Sequence, residues 1–216
     1  MTIKEMASLY ETFCETMEYN KDLLTMLDQQ SGDGDLGVSM CCGYRAATHS
    51  LKVFDGSDLG IALNQAATAF NEAAPSSLGT ITAFVMKGMA RQLKGQELAE
   101  IDQVAEALLN GIQNTMKKLG SKPGEKTIFD AIVPGANALR VYANEGQRVA
   151  LFAAARAAAE GAEATKQMKA IWGRAAYYGD KTIGLVDGGA VVGKLLFEAA
   201  AKWVQTKDCA SAHSDY

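Results

Sequence analysis

Asp28-Gln29-Gln30-Ser31-Gly32-Asp33-Gly34-Asp35-Leu36-Gly37 is the stretch on which the reading of this chain turns. Three carboxylates fall within eight positions and alternate with three glycines. Without a cation such carboxylates repel one another, and glycine costs backbone entropy unless a tight turn needs it. A hard divalent cation bound by oxygen answers the first problem, and all-oxygen ligands point to Mg²⁺, Mn²⁺ or Ca²⁺ rather than zinc. An EF-hand does not fit. Counted from Asp33, the twelfth position is Tyr44, where a bidentate Glu is required; counted from Asp28, the third and fifth positions are Gln30 and Gly32. Mg²⁺, which completes its shell with water and substrate phosphates, suits the loop better. A solvated acidic turn, with Asp33 or Asp35 capping the helix that begins near Gly37, is the plainer alternative.

Outward from the loop the apolar pattern is helical in both directions. Ile3, Met6, Tyr10, Phe13 and Met17 step by three and four, as do Ile101, Val104, Leu108, Ile112, Met116 and Leu119. Val192, Leu195, Leu196, Ala199 and Trp203 repeat the pattern near the C-terminus. No stretch alternates apolar and polar residues long enough to predict a strand. Punctuation divides the chain into eight expected helices, at 2–28, 37–52, 58–74, 77–94, 98–119, 127–144, 147–171 and 188–206. Asp58 is placed to cap the third, and Lys94-Gly95 and Leu119-Gly120 read as helix stops. Residues 173–187 read as a long irregular connection. The expectation is an all-α, single-domain protein: an eight-helix antiparallel up-and-down barrel or bundle over residues 1–207, followed by a polar tail at 208–216.

Bulk properties narrow the function classes. The chain has 216 residues, a net charge of −4, and 21 Gly against 3 Pro. The charge argues against nucleic-acid binding. No apolar run approaches the roughly 20 residues of a membrane span, and the N-terminus lacks a signal-peptide core, so the expectation is a cytoplasmic protein. Cys14, Cys41, Cys42 and Cys209 show no metal-ligand spacing, and His49 and His213 have no partners at such spacing. Reduced structural thiols are therefore expected, and neither a zinc site nor a histidine triad.

The acidic loop resembles the metal loop of the nucleotide-binding (L) subunit of dihydroxyacetone kinase, also found as a C-terminal domain in one-chain kinases. Three further stretches resemble that family in the same order: Gly124-Glu125-Lys126-Thr127-Ile128-Phe129-Asp130-Ala131-Ile132-Val133-Pro134, Gly173-Arg174-Ala175-Ala176-Tyr177-Tyr178-Gly179, and Ile183-Gly184 through Asp187-Gly188-Gly189-Ala190. The resemblance implies an eight-helix barrel whose loops at one end hold ADP or ATP with two Mg²⁺ ions. It implies Asp28, Asp33 and Asp35 as metal ligands and Leu36, Gly37, Val38 and Ser39 along the phosphates. Gly120 and Ile128 would line the adenine pocket, and Arg174 with Asp187, Gly188 and Gly189 would close over the nucleotide. No catalytic side chain is assigned, because phosphoryl transfer depends on positioning and charge neutralisation.

The same residues have plainer readings. Ile128 shares a helix face with Ile132 and fits a core position. Arg174 fits a surface cation near a helix end, and Asp187 a turn. Lys126 and Thr127 fit an ordinary helix start, with Asp130 favouring its N-terminus electrostatically.

The chain also departs from the family pattern. Ala74-Pro75-Ser76-Ser77-Leu78-Gly79-Thr80 stands where the family usually has a Thr/Ser-Ser-Gly-Pro run. Ser76 and Ser77 are read as phosphate contacts, with a helix N-cap as the other reading. Gly188 replaces a common Pro, and Leu36 a residue that is often His.

The resemblance implies that the hydroxyketone, a triose or tetrulose, sits on a separate substrate-binding kinase subunit. The donor is then ATP itself or a phosphotransferase-system phosphocarrier, with ADP retained as a bound cofactor. A homodimer is left open. A nucleotide-dependent regulatory or interaction module of the same fold is the main alternative; an Mg²⁺-dependent phosphatase is a third reading.

Overall fold

The computed structural model describes residues 1–212, with side chains to 207. Nine α-helices occur among the described residues, and no strand. They are α1 (Ile3–Tyr19), α2 (Lys21–Gln29), α3 (Leu36–Lys52), α4 (Leu59–Ala73), α5 (Ser77–Gln92), α6 (Ile101–Leu119), α7 (Phe129–Val141), α8 (Gln147–Ala164) and α9 (Gly188–Ala212). Eight of them close a ring in which α1 packs on α3, each of α3 to α8 packs on the next helix, and α9 packs back on α1. The ninth, α2, lies outside the ring against α3 and α9.

The expected first helix, 2–28, is thus two helices. The break falls at Asn20 (φ −97°, ψ 11°), whose side-chain amide and backbone N–H both donate to Thr16 O. An Asn that satisfies the carbonyls ending one helix lets the next start at once. The apolar period resumes with buried Leu24, so it carries no mark of the break. The eighth helix runs to Ala212 rather than 206, and the tail from 213 lies outside the described residues. The connection 173–187 contains a 3₁₀ segment, Arg174–Thr182, kinked at Gly179.

Local signals set the helix ends. Thr2 and Glu5 form a capping box at α1. Asp58 caps α4 by accepting from Ile61 N (2.9 Å), and its second oxygen accepts from Gly95 N at the end of α5 (2.8 Å), which ties neighbouring helices together. Antiparallel packing is visible in side-chain pairs: Glu18 with Arg45 and Glu11 with Lys52 between α1 and α3, and Ser8 with Trp203 between α1 and α9.

The core explains the alanine content. Ala66, Ala67, Ala107, Ala136, Ala154 and Ala158 are fully buried, so helices approach closely. Glycines bring some pairs closer still: in α5 and α6 a Cβ on Gly88 would lie 2.5 Å from Gly111 Cα, and in α8 a Cβ on Gly161 would lie 2.1 Å from Asp130 O of α7. Tyr10, Phe13, Tyr44 and Phe70 stack edge-on along the α1–α3–α4 side.

The ring's alternation has one consequence for the site. At the end where α3 begins, α5, α7 and α9 also begin, while α1, α4, α6 and α8 end. Four helix N-termini therefore converge there, each with the positive end of its dipole.

Candidate functional site

A cavity of about 600 Å³ opens at this end of the barrel. Its wall includes Leu36, Ser76, Ser77, Ile128 and Gly188, one or more residues from the start of each of the four helices. Asp28, Asp33 and Asp35 line the same cavity.

The acidic loop is built around Asp28. This residue sits in the last turn of α2, and its Oδ2 accepts from Gly34 N (2.7 Å) and Asp35 N (3.1 Å). The fold-back brings one carboxylate oxygen from each of Asp28, Asp33 and Asp35 within 4.8 Å of one another. A hard divalent cation spans that spacing with small side-chain rotations, and the donor set is all oxygen, so the residues fit Mg²⁺. Without a cation the cluster is electrostatically costly: burial, then the charges of Asp33 and Asp28, raise the Asp35 carboxyl above its usual range.

Beside the start of α3, Ser76 is the N-cap of α5. Its hydroxyl accepts from Gly79 N (3.0 Å) and pairs with Ser39 Oγ (2.8 Å). The N-cap reading of Ser76 is thus met, and the residue also lines the cavity. Ser39 does not line the cavity itself, nor do Gly37, Val38 and Gly120. A Cβ on Gly37 would lie 2.1 Å from Lys21 O, so this glycine is required for α3 to pass α2. Val38 faces outward, and Gly120 is the left-handed C-cap of α6. Ile128 is both core and wall: it is 4% exposed, yet it lines the cavity.

The remaining wall is the 165–187 connection. Arg174 Nη2 meets Asp33 Oδ2 at 2.8 Å. Asp187 Oδ2 accepts from Ala190 N (2.7 Å) and so caps α9. Desolvation pushes the Asp187 carboxyl up to about 6 against the pull of the Ala190 N–H and the Lys126 ammonium. The turn reading of Asp187 holds alongside its place in the cavity.

Sequence reasoning gave no site role to three residues here, and its reading of Lys126 as an ordinary helix start does not hold, since α7 begins at Phe129. Lys126 is buried, with Nζ donating to Thr165 O (2.7 Å) and Leu185 O (2.5 Å), so it clasps both ends of the connection. It does so from a left-handed backbone (φ 59°), the one such non-glycine among the described residues. Burial lowers its ammonium pKa, and Asp187 and Asp130 oppose that shift. Glu125 is also buried and accepts from Ser121 Oγ, Lys122 N and Trp172 Nε1 (3.0, 2.9 and 2.6 Å). Trp172 lines the cavity. The available signals were a Trp beside Gly173-Arg174 and charged residues inside a Gly-rich turn; both are weak without contacts.

Comparison with known proteins gives consistent results. The model of the DAK2 domain family matches residues 30–202. The chain is 33% identical over 189 residues to the PEP-dependent dihydroxyacetone kinase 1, ADP-binding subunit DhaL, of Listeria innocua, covering 87% of this chain and 89% of that protein. It is 29% identical over 198 residues to the L-erythrulose 1-kinase of Mycolicibacterium smegmatis, covering 91% of this chain but 35% of that protein, so it spans about a third of that kinase's length. Among solved structures, the dihydroxyacetone kinase from C. freundii in complex with AMP-PNP and Mg²⁺ superposes with a TM-score of 0.73 at 24% identity, over 91% of this chain and 33% of that one. That likeness establishes the barrel fold.

Proposed function

Because the chain belongs to the DAK2 domain family, we propose that it is the nucleotide-binding subunit of a dihydroxyacetone-type kinase, acting on a triose or tetrulose held by a separate substrate subunit. The observation that carries this reading is the pairing of opposites in one cavity. Three carboxylates call for a cation, and four helix N-termini call for an anion. A site for a metal alone does not need the N-termini, and a site for an anion alone does not tolerate the carboxylates. A magnesium-bound nucleotide phosphate satisfies both.

In this reading Asp28, Asp33 and Asp35 hold Mg²⁺, with two ions expected from the family resemblance, and bound Mg²⁺ supplies charge neutralisation to the transferring phosphoryl group. At the start of α3 Leu36, which lines the cavity, and beside it the hydroxyls of Ser76 and Ser77 position the phosphates, with Ser39 acting only through its hydroxyl pair with Ser76. Ile128 packs against the base, near the loop that leaves Gly120. Arg174 turns from Asp33 toward phosphate, and the Asp187-Gly188-Gly189 turn packs against the nucleotide beside it. The chain matches nearly the full length of an ADP-binding subunit and a third of an erythrulose kinase.

The test is turnover. Purified protein is mixed with Mg²⁺, a dihydroxyacetone-kinase substrate subunit, and dihydroxyacetone or erythrulose, with either ATP or a phosphorylated carrier protein as donor. Sugar phosphate formed only when this chain is present supports the reading, and the donor that works identifies the branch. Phosphate release without any acceptor points instead to a phosphatase. Mg-ADP binding without turnover from either donor leaves the regulatory module.

A further inference from the structure

The segment 172–174 crosses the cavity mouth and is held on both sides. Trp172 Nε1 donates to Glu125 Oε2 (2.6 Å) in the connection between α6 and α7, while Arg174 meets Asp33 (2.8 Å) in the connection between α2 and α3. Gly173 between them has φ 62° and ψ −159°, a conformation that sends the flanking side chains to opposite walls.

The two walls differ in chemistry. On the Asp33 side are the acidic cluster and the hydroxyl-bearing start of α5. On the Glu125 side the cavity is lined by Trp172 together with Lys126, Thr127 and Ile128, and the Lys126 ammonium is taken up by the Thr165 and Leu185 carbonyls. Trp172 is 44% exposed, a large apolar surface left open at the mouth. Glu125 is buried and takes two further donors from its own loop, so the carboxylate that holds the indole N–H edge is itself fixed. A cavity of about 600 Å³ with an acidic cluster at one wall and an indole at another suits a ligand with a metal-bound phosphate end and a flat heterocyclic end.

We propose that Trp172, fixed by Glu125, is the nucleobase-binding wall of this cavity. This proposal rests on the nucleotide reading above and deepens it. A planar base seats against the indole beside Ile128, while the phosphates run beneath Arg174 to the acidic loop. Pinning the ring before the ligand arrives removes part of the ordering cost of stacking.

Calorimetric titration of the whole chain with Mg-ADP and with magnesium tripolyphosphate, which has phosphates but no base, tests this assignment. Trp172→Ala is expected to weaken Mg-ADP binding about 10- to 100-fold, the size of one base–aromatic stack. It is expected to leave tripolyphosphate binding within about twofold, since stacking involves only the base. Trp172→Phe, which keeps a ring face and loses the N–H, is expected to retain most of the Mg-ADP affinity. Unchanged Mg-ADP affinity in Trp172→Ala, an equal loss for both ligands, or a loss in Trp172→Phe matching that in Trp172→Ala would each overturn the assignment. Wild-type protein that binds no Mg-ADP overturns the nucleotide reading itself, which is a distinguishable result.

Discussion

Arg174 and Asp33 are joined at 2.8 Å across the mouth of the cavity, although both side chains are largely open to solvent. An exposed pair of this kind contributes about 0–1 kcal/mol, so it breaks readily when a cation claims Asp33. Arg174→Ala should therefore leave the melting temperature nearly unchanged. It should strengthen binding of Mg²⁺ alone, because Asp33 loses a competitor, and weaken binding of Mg-ADP, because a phosphate partner is gone. Calorimetry with the two ligands reads these opposite signs; a shift of both in one direction would refute the double role.

The three acidic residues should not be equivalent. Asp33→Ala and Asp35→Ala remove repulsion along with a ligand, so thermal stability in EDTA should hold or rise while Mg-ADP affinity falls by at least about 100-fold. Asp28 also accepts from Gly34 N and Asp35 N. Asp28→Ala should then cost about 1–3 kcal/mol of stability as well. Asp28→Asn keeps an oxygen for those N–H groups and should restore the stability but not the Mg-ADP binding.

Lys126 makes a backbone prediction. Lys126→Met leaves the Thr165 and Leu185 carbonyls without their shared donor and keeps the left-handed strain, for an expected loss of about 2–4 kcal/mol. Lys126→Gly loses the same donor but accommodates φ 59°, and should come out about 1 kcal/mol more stable than the Met variant. Chemical denaturation of the two variants gives the comparison.

Asp187 predicts a pH dependence. Its folded pKa of about 6 lies above the unfolded value near 4. The folded state therefore binds the extra proton, and the group's contribution is fully present below about pH 4 and lost as pH rises through 6. Wild-type protein should lose at most ~3 kcal/mol from this source across that window. Asp187→Asn, which keeps an acceptor for Ala190 N and carries no charge, should show that much less decline. Melting curves at pH 4, 5, 6 and 7 make the comparison; parallel profiles would exclude a titrating Asp187.

The helices were legible because their signals are local. A face such as Ile101–Val104–Leu108–Ile112 needs only its own segment, and Asp58 or Ser76 caps a helix through atoms three residues away. The split at Asn20 was not legible, since a capped break between two helices of the same type hardly disturbs the apolar period. The acidic loop was legible for the same local reason as the caps: Asp28, Asp33 and Asp35 are near neighbours in sequence. The cavity's far wall was not. Gly37 and Gly120 look alike among the 21 glycines of the sequence, yet one lets α3 pass α2 and the other ends α6, and neither lines the cavity.

The sequence by itself determined an all-helical chain with a loop of three closely spaced carboxylates, because periodicity, capping and carboxylate spacing act over a few residues. Only the tertiary structure decided what faces that loop. Closure of the ring, with alternating helix directions, brings four N-termini to the same end, and it sets Trp172 on Glu125, Arg174 on Asp33 and Lys126 beneath both ends of the 165–187 connection. Those contacts join segments far apart in the chain, and they exist only once packing has set the helices beside one another.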